Sequence, residues 1–227
     1  MAPAGPAADL PARAYDRDDD LLEAVRRDGL PRLRVIRWGA PAVVIGKGGK
    51  QELELVREAI AADGIPLLQR PGGGCSVVLD PGNLIVSAVL PVPGIGAITS
   101  SFAALSAWMI AGLESCGVSG VEQRGVSDLA IGDRKIGGSC IYRTRNLLYY
   151  STTLLVDPDL GLIERYLLHP PREPEYRQGR LHREFLGSLR NGGWDREIPD
   201  LIPPLEAALR PALPRLPGLR KSLSPPG

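Results

Sequence analysis

The first residues in this sequence that could do chemistry form a glycine-rich stretch between two apolar runs. The stretch extends from Gln69 to Asp80 and reads Gln-Arg-Pro-Gly-Gly-Gly-Cys-Ser-Val-Val-Leu-Asp. Because glycine lacks a Cβ atom, such a loop can turn several N–H groups toward one anion, and the planar guanidinium of Arg70 adds further donors. The stretch therefore predicts an anion-binding loop, with an ordinary hairpin loop as the alternative.

A lysine on a predicted strand is the second candidate. Gly132 and Asp133 form a tight-turn signal, which places Lys135 near the start of a strand that continues into two glycines and Ser139. A lysine on a strand is held more firmly than one at a loop tip, and the following glycines let a ligand approach the backbone. The pattern indicates a fixed ammonium group, with a solvated hairpin lysine as the alternative.

Together the two stretches resemble the motifs of the lipoate-protein ligase and octanoyltransferase family, which is related to the biotin protein ligases. The family's first motif is roughly Arg-Arg-x-Ser/Thr-Gly-Gly-x-Ala-Val-x-His-Asp, followed by Gly-Asn. It covers the stretch from Gln69 to Asp80 without a gap, and Gly82 and Asn83 follow in place. Two such motifs in order, with strand-like flanks, are far more specific than one.

The second motif of the family is Asn-Asp-Leu/Ile, then Gly-Arg/Lys-Lys-Ile-x-Gly-Ser-Ala. It matches residues 127–129 and 133–140, and Thr153 opens a Thr-Leu-Leu run like that of the family. The resemblance extends from about Leu21 to Leu189.

The chain departs from the motifs mainly at polar side chains, which bears on its substrate and its activity. The first arginine is replaced by Gln69, the Ser/Thr by Gly72, and the histidine before the aspartate by Leu79. The other departures are Cys75 at the variable third glycine, Ser127 in place of asparagine, and Ser151-Thr152 in place of His-Gly.

The resemblance implies both a fold and an activity. The implied fold is α+β, a mixed and mostly antiparallel sheet flanked by helices, like the class II synthetase-like catalytic domain of biotin and lipoate ligases. Many short strands with helices outside them indicate the same fold class. The implied activity attaches lipoate or octanoate, through an acyl-adenylate, to a lysine of a lipoyl carrier domain. That domain would belong to a 2-oxoacid dehydrogenase or be the glycine cleavage H protein.

The resemblance also implies roles for single residues. Activating a carboxylic acid requires preorganised N–H donors and a cation, because negative charge develops on the phosphate and the acyl oxygen. Lys135 would be the catalytic residue, lying against the acyl carbonyl and the α-phosphate. Asp128 would orient the ribose or a bound Mg²⁺, and Asn83 would hydrogen-bond within the loop or to adenine. The residues expected to bind the acyl group or nucleotide are Arg70, Gly72, Gly73, Gly74, Cys75, Ser76, Asp80, Asn83, Asp128, Gly138, Ser139, Cys140 and Thr153.

The sequence leaves three functions open. A ligase would use ATP and Mg²⁺, whereas an octanoyltransferase that takes its acyl group from acyl carrier protein would need no cofactor. A non-catalytic protein that binds acyl-adenylate or lipoyl domains is the third. The family's cysteine-dependent transferases carry their nucleophile where this chain has Leu148 and Glu122, which favours the ligase. Cys75 and Cys140 are near the site by motif position, but we expect neither to be essential.

Hydrophobic periodicity predicts the elements that must position these residues. We predict an aspartate-capped helix from Leu21 and a long helix whose cap is Thr99 or Ser100. The apolar residues around Val77 and Ile85 are predicted mainly as core rather than as an acyl channel. The predicted helices cover 21–27, 51–62, 99–116, 159–168, 179–189 and 205–210, and the predicted strands include 32–38, 42–46, 139–142 and 147–156.

Composition bounds the partners and the compartment. The chain of 227 residues is 44% hydrophobic with a net charge of +1, so it can build a core and offers no basic excess for nucleic acid. We predict a disordered tail over 1–15, a catalytic domain over 16–198, and a Pro-rich tail over 199–227 without an accessory domain, so a ligase could need a separate small partner. Without a membrane-length apolar run, a signal peptide or metal-spaced cysteines, the expected location is the cytoplasm.

Overall fold

Two β-sheets organise this protein, and the computed structural model describes residues 8–94 and 97–213. Elements are numbered along the chain. In spatial order, the larger sheet contains β2 (Arg32–Arg37), β6 (Asn83–Leu90), β10 (Leu148–Leu155), β9 (Arg134–Arg143), β8 (Asp128–Ile131) and β7 (Val121–Arg124). Every neighbouring pair in this sheet is antiparallel. The predicted turn at Gly132 and Asp133 joins β8 to β9, as expected.

The smaller sheet carries the glycine-rich stretch. Its strands, in spatial order, are β1 (Arg13–Ala14), β4 (Leu67–Gln69), β3 (Ala42–Ile45) and β5 (Val77–Leu79). The first two pairs are parallel, and β3 and β5 are antiparallel. Because β4 and β5 lie on opposite sides of β3, the chain between them must cross the end of β3. That crossing segment, residues 70–76, is called the glycine loop below.

Helices cover the sheets on both sides. They are α1 (Asp19–Asp28), α2 (Gln51–Glu54), α3 (Arg57–Ala62), α4 (Ile98–Ser115), α5 (Leu160–Tyr166), α6 (His182–Phe185) and α7 (Ile198–Leu209), with a 3-10 turn at Glu175–Arg177. The α4 and α7 helices pack with the large sheet around the main core, while α1 packs near Cys140 and Tyr149. The α+β class and the mostly antiparallel sheet are confirmed.

The caps of two helices differ from the sequence prediction. Asp18 precedes α1, but its carboxylate accepts hydrogen bonds from Ser87 Oγ at 2.7 Å and Tyr149 OH at 2.8 Å instead of capping helix N–H groups. The α4 helix follows Ala97, which has a left-handed backbone, and Ser100 Oγ donates to its carbonyl oxygen. The hydrogen bonds of polar side chains at helix starts therefore depend on tertiary contacts that the local sequence does not show.

Two predicted helices are shorter than expected because other segments pair with them. The helix predicted over 51–62 is interrupted at Leu55 and Val56, where Leu55 forms a bridge with Leu167 and Val56 N donates to Tyr166 O. The helix predicted over 179–189 is reduced to α6. The chain beyond it pairs through Leu186 with Lys135.

The predicted tails are wrong where the structure describes them. Residues 8–15 are ordered: β1 extends the smaller sheet, and Leu10 exchanges hydrogen bonds with the side chain of Gln51. The segment predicted as a Pro-rich tail contains α7, whose Leu201, Leu205 and Leu209 recur at helical spacing and are fully buried. Residues 1–7 and 214–227 lie outside the described residues.

The apolar residues around Val77 and Ile85 belong mainly to the core. Ile85 is buried against Trp38, Val44 and Leu79, and Val77 packs at the edge of the same cluster. This confirms the prediction that they are core residues.

Candidate active site

Lys135 and Asp128 form an ion pair on adjacent strands. The Nζ atom of Lys135 lies 2.8 Å from Asp128 Oδ1, and the Asp128 side chain is only 11% exposed. The second carboxylate oxygen, Oδ2, accepts a hydrogen bond from Tyr176 OH at 3.0 Å. Asp128 therefore fixes the ammonium group of Lys135 in one position, and Tyr176 in turn fixes the carboxylate of Asp128.

A β-bulge aims Lys135 into this position. The register pairs Leu129 with Gly137 but Ala130 with Lys135, so one residue of β9 has no partner on β8. Gly138 provides the space for the lysine, because a Cβ atom there would lie 2.9 Å from both Lys135 Cε and Nζ. Beyond the bulge, Gly187 N donates to Lys135 O at 2.8 Å.

The glycine loop presents unused backbone donors. Within the two described ranges of the chain, the N–H groups from Gly72 to Cys75 donate no hydrogen bond to another residue. A Cβ atom added to Gly73 would have no heavy atom within 4 Å, so open space lies beside the loop. Gly74 has φ +93°, which favours glycine over any other residue. This arrangement suits an anion-binding cradle.

The guanidinium of Arg70 hydrogen-bonds to carbonyl oxygens of the loop and of β3 and does not extend into that open space. Its Nη2 donates to Gly73 O at 2.9 Å and to Cys75 O at 2.7 Å, and its Nη1 donates to Val44 O at 3.3 Å. By satisfying the carbonyl oxygens, the guanidinium fixes the orientation of the peptide groups whose N–H donors remain free. Arg70 thus acts here on the shape of the loop.

The loop after β3 packs directly against the glycine loop. A Cβ atom at Gly46 would lie 2.3 Å from Gly74 O, so only glycine allows this approach. Lys47 N donates to Gly72 O at 3.0 Å. This second loop, residues 46–50, reads Gly-Lys-Gly-Gly-Lys and was not identified from the sequence.

Ser76, at the end of the glycine loop, has its donors taken by Glu54. Ser76 N lies 2.6 Å and Ser76 Oγ 2.8 Å from Glu54 Oε2. The sequence prediction assigned Ser76 to ligand binding, but its hydroxyl and its N–H are both engaged by a protein carboxylate.

Asp80 and Asn83 form a buried turn. Asn83 Oδ1 accepts a hydrogen bond from Asp80 N at 2.8 Å, a contact within this turn. The carboxylate of Asp80 accepts hydrogen bonds from Gly82 N and from Asp159 N, and burial raises its pKa. Asp80 thus joins the turn between β5 and β6 to Asp159, the residue before α5, and Asn83 fixes the same turn.

Strand β9 brings the second motif against the glycine loop. A Cβ atom at Gly72 would lie 2.9 Å from Cys140 Sγ, so the loop rests directly on this strand. Ser139 Oγ lies 3.0 Å from Tyr150 OH. In β10, Thr153 pairs with Gly138 in the sheet register. The structure therefore places Gly72, Gly138, Cys140 and Lys135 in one continuous region.

The two motif cysteines differ in their surroundings. Cys140 is buried, and burial raises the pKa of its thiol despite the nearby Arg70 guanidinium. Cys75 is half-buried, and its Sγ lies 3.5 Å from Arg172 O. A catalytic thiol needs a lowered pKa, which Cys140 lacks.

Residues 168–181, called the strap below, lie across both motifs. The strap contacts the glycine loop through Arg172 and Cys75, and it contacts β8 through Tyr176 and Asp128. Burial raises the pKa of the Tyr176 phenol, and the neighbouring Asp128 raises it further, so this group stays a hydrogen-bond donor. Sequence reasoning missed Tyr176, because it lies outside both motifs.

Arg180 and His182 make contacts that hold the strap and the start of α6 in place. Arg180 pairs with Asp133 at 2.9 Å, and His182 Nε2 lies 3.1 Å from Leu168 O. Both side chains are therefore engaged by protein groups.

In the described part of the chain, side chains alone do not build a magnesium site. Across residues 8–94 and 97–213, no group of three or more His, Cys, Asp or Glu could hold a metal ion. Both oxygens of Asp128, the residue considered for Mg²⁺, are engaged by Lys135 and Tyr176. In the same part of the chain, no helix is long and apolar enough to cross a membrane.

The chain is similar to curated and structurally characterised proteins. It is 27% identical over 66% of its length to a lipoate–protein ligase of Streptococcus pyogenes, and 28% identical over 56% to lipoate–protein ligase 1 of Staphylococcus aureus. These alignments cover 43% and 38% of the two relatives, so the chain spans less than half of their length.

Solved structures show the same fold. A bi-partite lipoate protein ligase from Thermoplasma acidophilum superposes with a TM-score of 0.71 at 22% identity, over 90% of this chain and 84% of that one. A lipoate-protein ligase A bound with ATP superposes with a TM-score of 0.70 at 23% identity, over 90% of this chain and 83% of that one.

A match to a protein-family profile covers most of the chain. The family described as lipoyl protein ligase A/B catalytic domain matches residues 11–209, which include both motifs, the strap and α7. The matched segment extends beyond the 16–198 expected for the catalytic domain, in agreement with the ordered β1 and α7. The chain belongs to the lipoyl protein ligase A/B catalytic domain family.

Proposed function

We propose that this chain activates lipoate or octanoate with ATP and transfers the acyl group to a lysine of a lipoyl carrier domain. The observation that carries the proposal is the glycine loop, whose N–H groups from Gly72 to Cys75 have no acceptor among the described residues and which borders open space at Gly73. The loop rests on the strand that holds Lys135. Fixed donors and one fixed cation are the groups that acid activation requires.

Both proposed half-reactions would use these groups to stabilise negative charge. In the first, a carboxylate oxygen attacks the α-phosphorus of ATP, pyrophosphate leaves, and an acyl-adenylate forms. In the second, a lysine amine attacks the acyl carbon, the bond from that carbon to the phosphate oxygen breaks, AMP leaves, and the amine nitrogen loses a proton. Lys135 stabilises charge on the acyl and phosphate oxygens in both steps, and the glycine loop binds the phosphate.

Three features support ligase chemistry over octanoyl transfer. The thiol pKa of Cys140 is raised by burial, Leu148 and Glu122 occupy the family's cysteine positions, and the lysine and the loop are both in place. Several relatives are also named lipoate–protein ligases, and one structural neighbour was solved with ATP. Asp128 would orient Lys135, and the co-substrate ATP would bring its own Mg²⁺.

The acceptor would be a lipoyl domain of a 2-oxoacid dehydrogenase or the glycine cleavage H protein. A neighbour from Thermoplasma acidophilum is described as a bi-partite ligase with its E2 lipoyl domain. Because that neighbour is described as bi-partite, we propose that this chain also works with a separate accessory-domain protein. The expected location is the cytoplasm, where free acids, ATP and lipoyl domains meet.

One experiment tests the proposal. The protein is incubated with a lipoyl domain and either ATP, Mg²⁺ and free acid or octanoyl-acyl carrier protein, and the acceptor is measured by intact mass. Modification only in the ATP reaction supports the ligase. Modification from the acyl carrier protein, or an acyl adduct on Cys75 or Cys140, would establish a transferase instead. Binding of the domain without modification, with the accessory protein present, would establish a non-catalytic binder.

A further inference from the structure

Glu54 is a buried carboxylate that the proposed chemistry does not use. It ends α2 and is 7% exposed, whereas Glu52 on the same helix is exposed. A buried carboxylate is costly unless donors satisfy it, so its partners show what it is for. In this protein those partners all belong to segments around the glycine loop.

The side chain of Glu54 connects two loops. Its Oε2 accepts hydrogen bonds from Ser76 N at 2.6 Å and from Ser76 Oγ at 2.8 Å, at the end of the glycine loop. Its Oε1 accepts one from Lys50 N at 3.2 Å, at the end of the loop over residues 46–50. A Cβ atom at Gly49 would lie 2.9 Å from the same Oε1, so the carboxylate fits closely between the loops.

The backbone of Glu54 connects a third segment. Its carbonyl oxygen accepts a hydrogen bond from Leu168 N at 2.9 Å, at the start of the strap. Leu168 O in turn lies 3.1 Å from His182 Nε2, at the start of α6. One residue therefore joins the glycine loop, the neighbouring lysine-containing loop and the strap that crosses both motifs.

The carboxylate of Glu54 also separates two groups of hydrogen-bond donors in the glycine loop, those that it engages and those that stay free. Ser76 gives both of its donors to Glu54, while the N–H groups from Gly72 to Cys75 have no acceptor among the described residues. An anionic ligand is repelled by the carboxylate at Ser76 and attracted by the free N–H groups before it. Glu54 thus defines the end of the anion-binding segment.

We propose that Glu54 is a positioning residue that holds the glycine loop in the shape needed for phosphate binding and acid activation. The inference rests on the proposed function for its kinetic consequence, but the contacts exist without any ligand. Small displacements of positioned groups cost large factors in rate, so a loosened loop should lower activity although no group that touches the substrate is removed.

The test uses Glu54→Gln, Ser76→Ala, the double variant, and Glu52→Gln as the matched control on the exposed face of α2. An amide in place of Glu54 keeps the side-chain size but offers only one acceptor oxygen, so either Ser76 or Lys50 loses its partner. The full-length protein is measured by hydrogen exchange without ligand. Acyl-adenylate formation is measured as a function of ATP concentration, and acyl transfer as a function of lipoyl-domain concentration.

For Glu54→Gln we expect faster hydrogen exchange over 46–50 and 70–79, with unchanged exchange in β6 and α4. We expect kcat/KM for ATP to fall about tenfold or more, and KM for the lipoyl domain to stay within about twofold of the parent. If Glu54 acts through Ser76, the two substitutions should be non-additive in the double variant. Glu52→Gln should match the parent in every measurement.

The outcomes separate this inference from the proposed function. If the parent forms no acyl-adenylate, the proposed function fails, and hydrogen exchange alone then decides whether Glu54 holds the loop. If Glu54→Gln and Glu52→Gln show the same exchange, the inference is wrong whatever the activity. It is also wrong if Glu54→Gln lowers only the melting temperature and keeps the parent kcat/KM for ATP.

Discussion

The ammonium group of Lys135 is useful only because its surroundings hold it in one place. Asp128 pairs with it at 2.8 Å, Tyr176 orients Asp128, and Gly138 leaves the space that the side chain occupies. A preorganised cation of this kind stabilises developing charge without reorganising during the reaction. The catalytic unit that we propose at the scale of residues is therefore this set of contacts, and the effects of substitutions in it can be ranked.

Lys135→Ala should lower acyl transfer by at least about a hundredfold, because it removes the ammonium group that Asp128 holds in place. The melting temperature should fall slightly, since Asp128 loses a partner, and Lys135→Arg should not restore activity because its wider planar fork fits differently. Rates are measured by intact mass of the lipoyl domain. Arg145→Ala, which removes an exposed cation from the turn between β9 and β10, is the control. Activity within a few-fold of the parent would remove Lys135 from the mechanism.

Tyr176→Phe should lower kcat/KM by a smaller factor, up to about tenfold, because it removes one hydrogen bond to Asp128 Oδ2 and leaves the ion pair intact. The aromatic ring, which packs on Phe185, is retained. Steady-state kinetics with varied ATP measure the effect. Tyr142→Phe, at a half-buried tyrosine of β9, should leave kcat/KM unchanged. Equal effects of the two substitutions would show that the Tyr176 hydroxyl has no role.

Gly73→Val should remove acyl transfer and leave the fold intact. The added side chain meets no protein atom within 4 Å of its Cβ, so it extends into the open space that we assign to the phosphate. Circular dichroism and the melting temperature check the fold, and ATP binding by calorimetry checks the site. Gly39→Val, at another exposed glycine with the same free space, is the control. An unfolded Gly73→Val variant, or one with parental turnover, would contradict the assignment.

At the scale of elements, two loops and a bulged hairpin form the site, and only part of this can be predicted from the sequence. The turn at Gly132 is predicted by local turn chemistry, so β8 and β9 and the place of Lys135 on β9 follow. The bulge that aims Lys135 does not follow, because the chain near it pairs with Leu186 and Gly187, far away in the sequence. Arg70 and Ser76 are predicted as ligand groups, but Arg70 donates to carbonyl oxygens of its own loop and of Val44. Ser76 donates to Glu54 in α2, a partner that the local sequence does not reveal.

The contact between α3 and α5 predicts a pH dependence of stability. Hydrogen bonds from Arg165 and then from Tyr166 lower the pKa of Asp63 to about 2. A carboxylate whose pKa is lowered by folding adds stability above its ordinary pKa of about 4, and this stability is lost as the pH falls toward 2. The Tyr166 OH lies 2.7 Å and Arg165 Nη2 2.8 Å from the carboxylate.

Asp63→Asn should therefore melt at a slightly lower temperature than the parent at pH 7, by a few °C because the pair is exposed to solvent. The difference should shrink as the pH falls from about 4 to about 3. Thermal melts across this range measure it, with Asp195→Asn at an exposed aspartate as the control. A difference that is constant with pH would contradict the role of the charge.

At the scale of the whole molecule, the C-terminal segment belongs to the fold. Its composition predicts a loose tail, because Pro203 and Pro204 stand inside it and proline usually breaks helices. The structure shows why it folds: Leu201, Leu205 and Leu209 face the main core beside α4. Trp108 Nε1 donates to Leu209 O at 3.0 Å, and a Cβ atom at Gly112 would lie 2.4 Å from Leu209 Cδ2. The partners are in α4, so the local sequence alone could not reveal them.

The substitution Leu205→Ala tests whether residues 198–209 form a packed helix or a loose tail. Leu205 is fully buried, so its truncation leaves a cavity that typically costs about 2–5 kcal/mol of unfolding free energy. For a domain of this size, the melting temperature should fall by about 5–15 °C. Ala207→Ser, at an exposed position of the same helix, should change it by less than about 2 °C. Because α7 supplies none of the contacts described around Lys135, activity per folded molecule at low temperature should stay near that of the parent. A Leu205→Ala melting temperature equal to that of Ala207→Ser would mean that α7 contributes no packing to the folded protein.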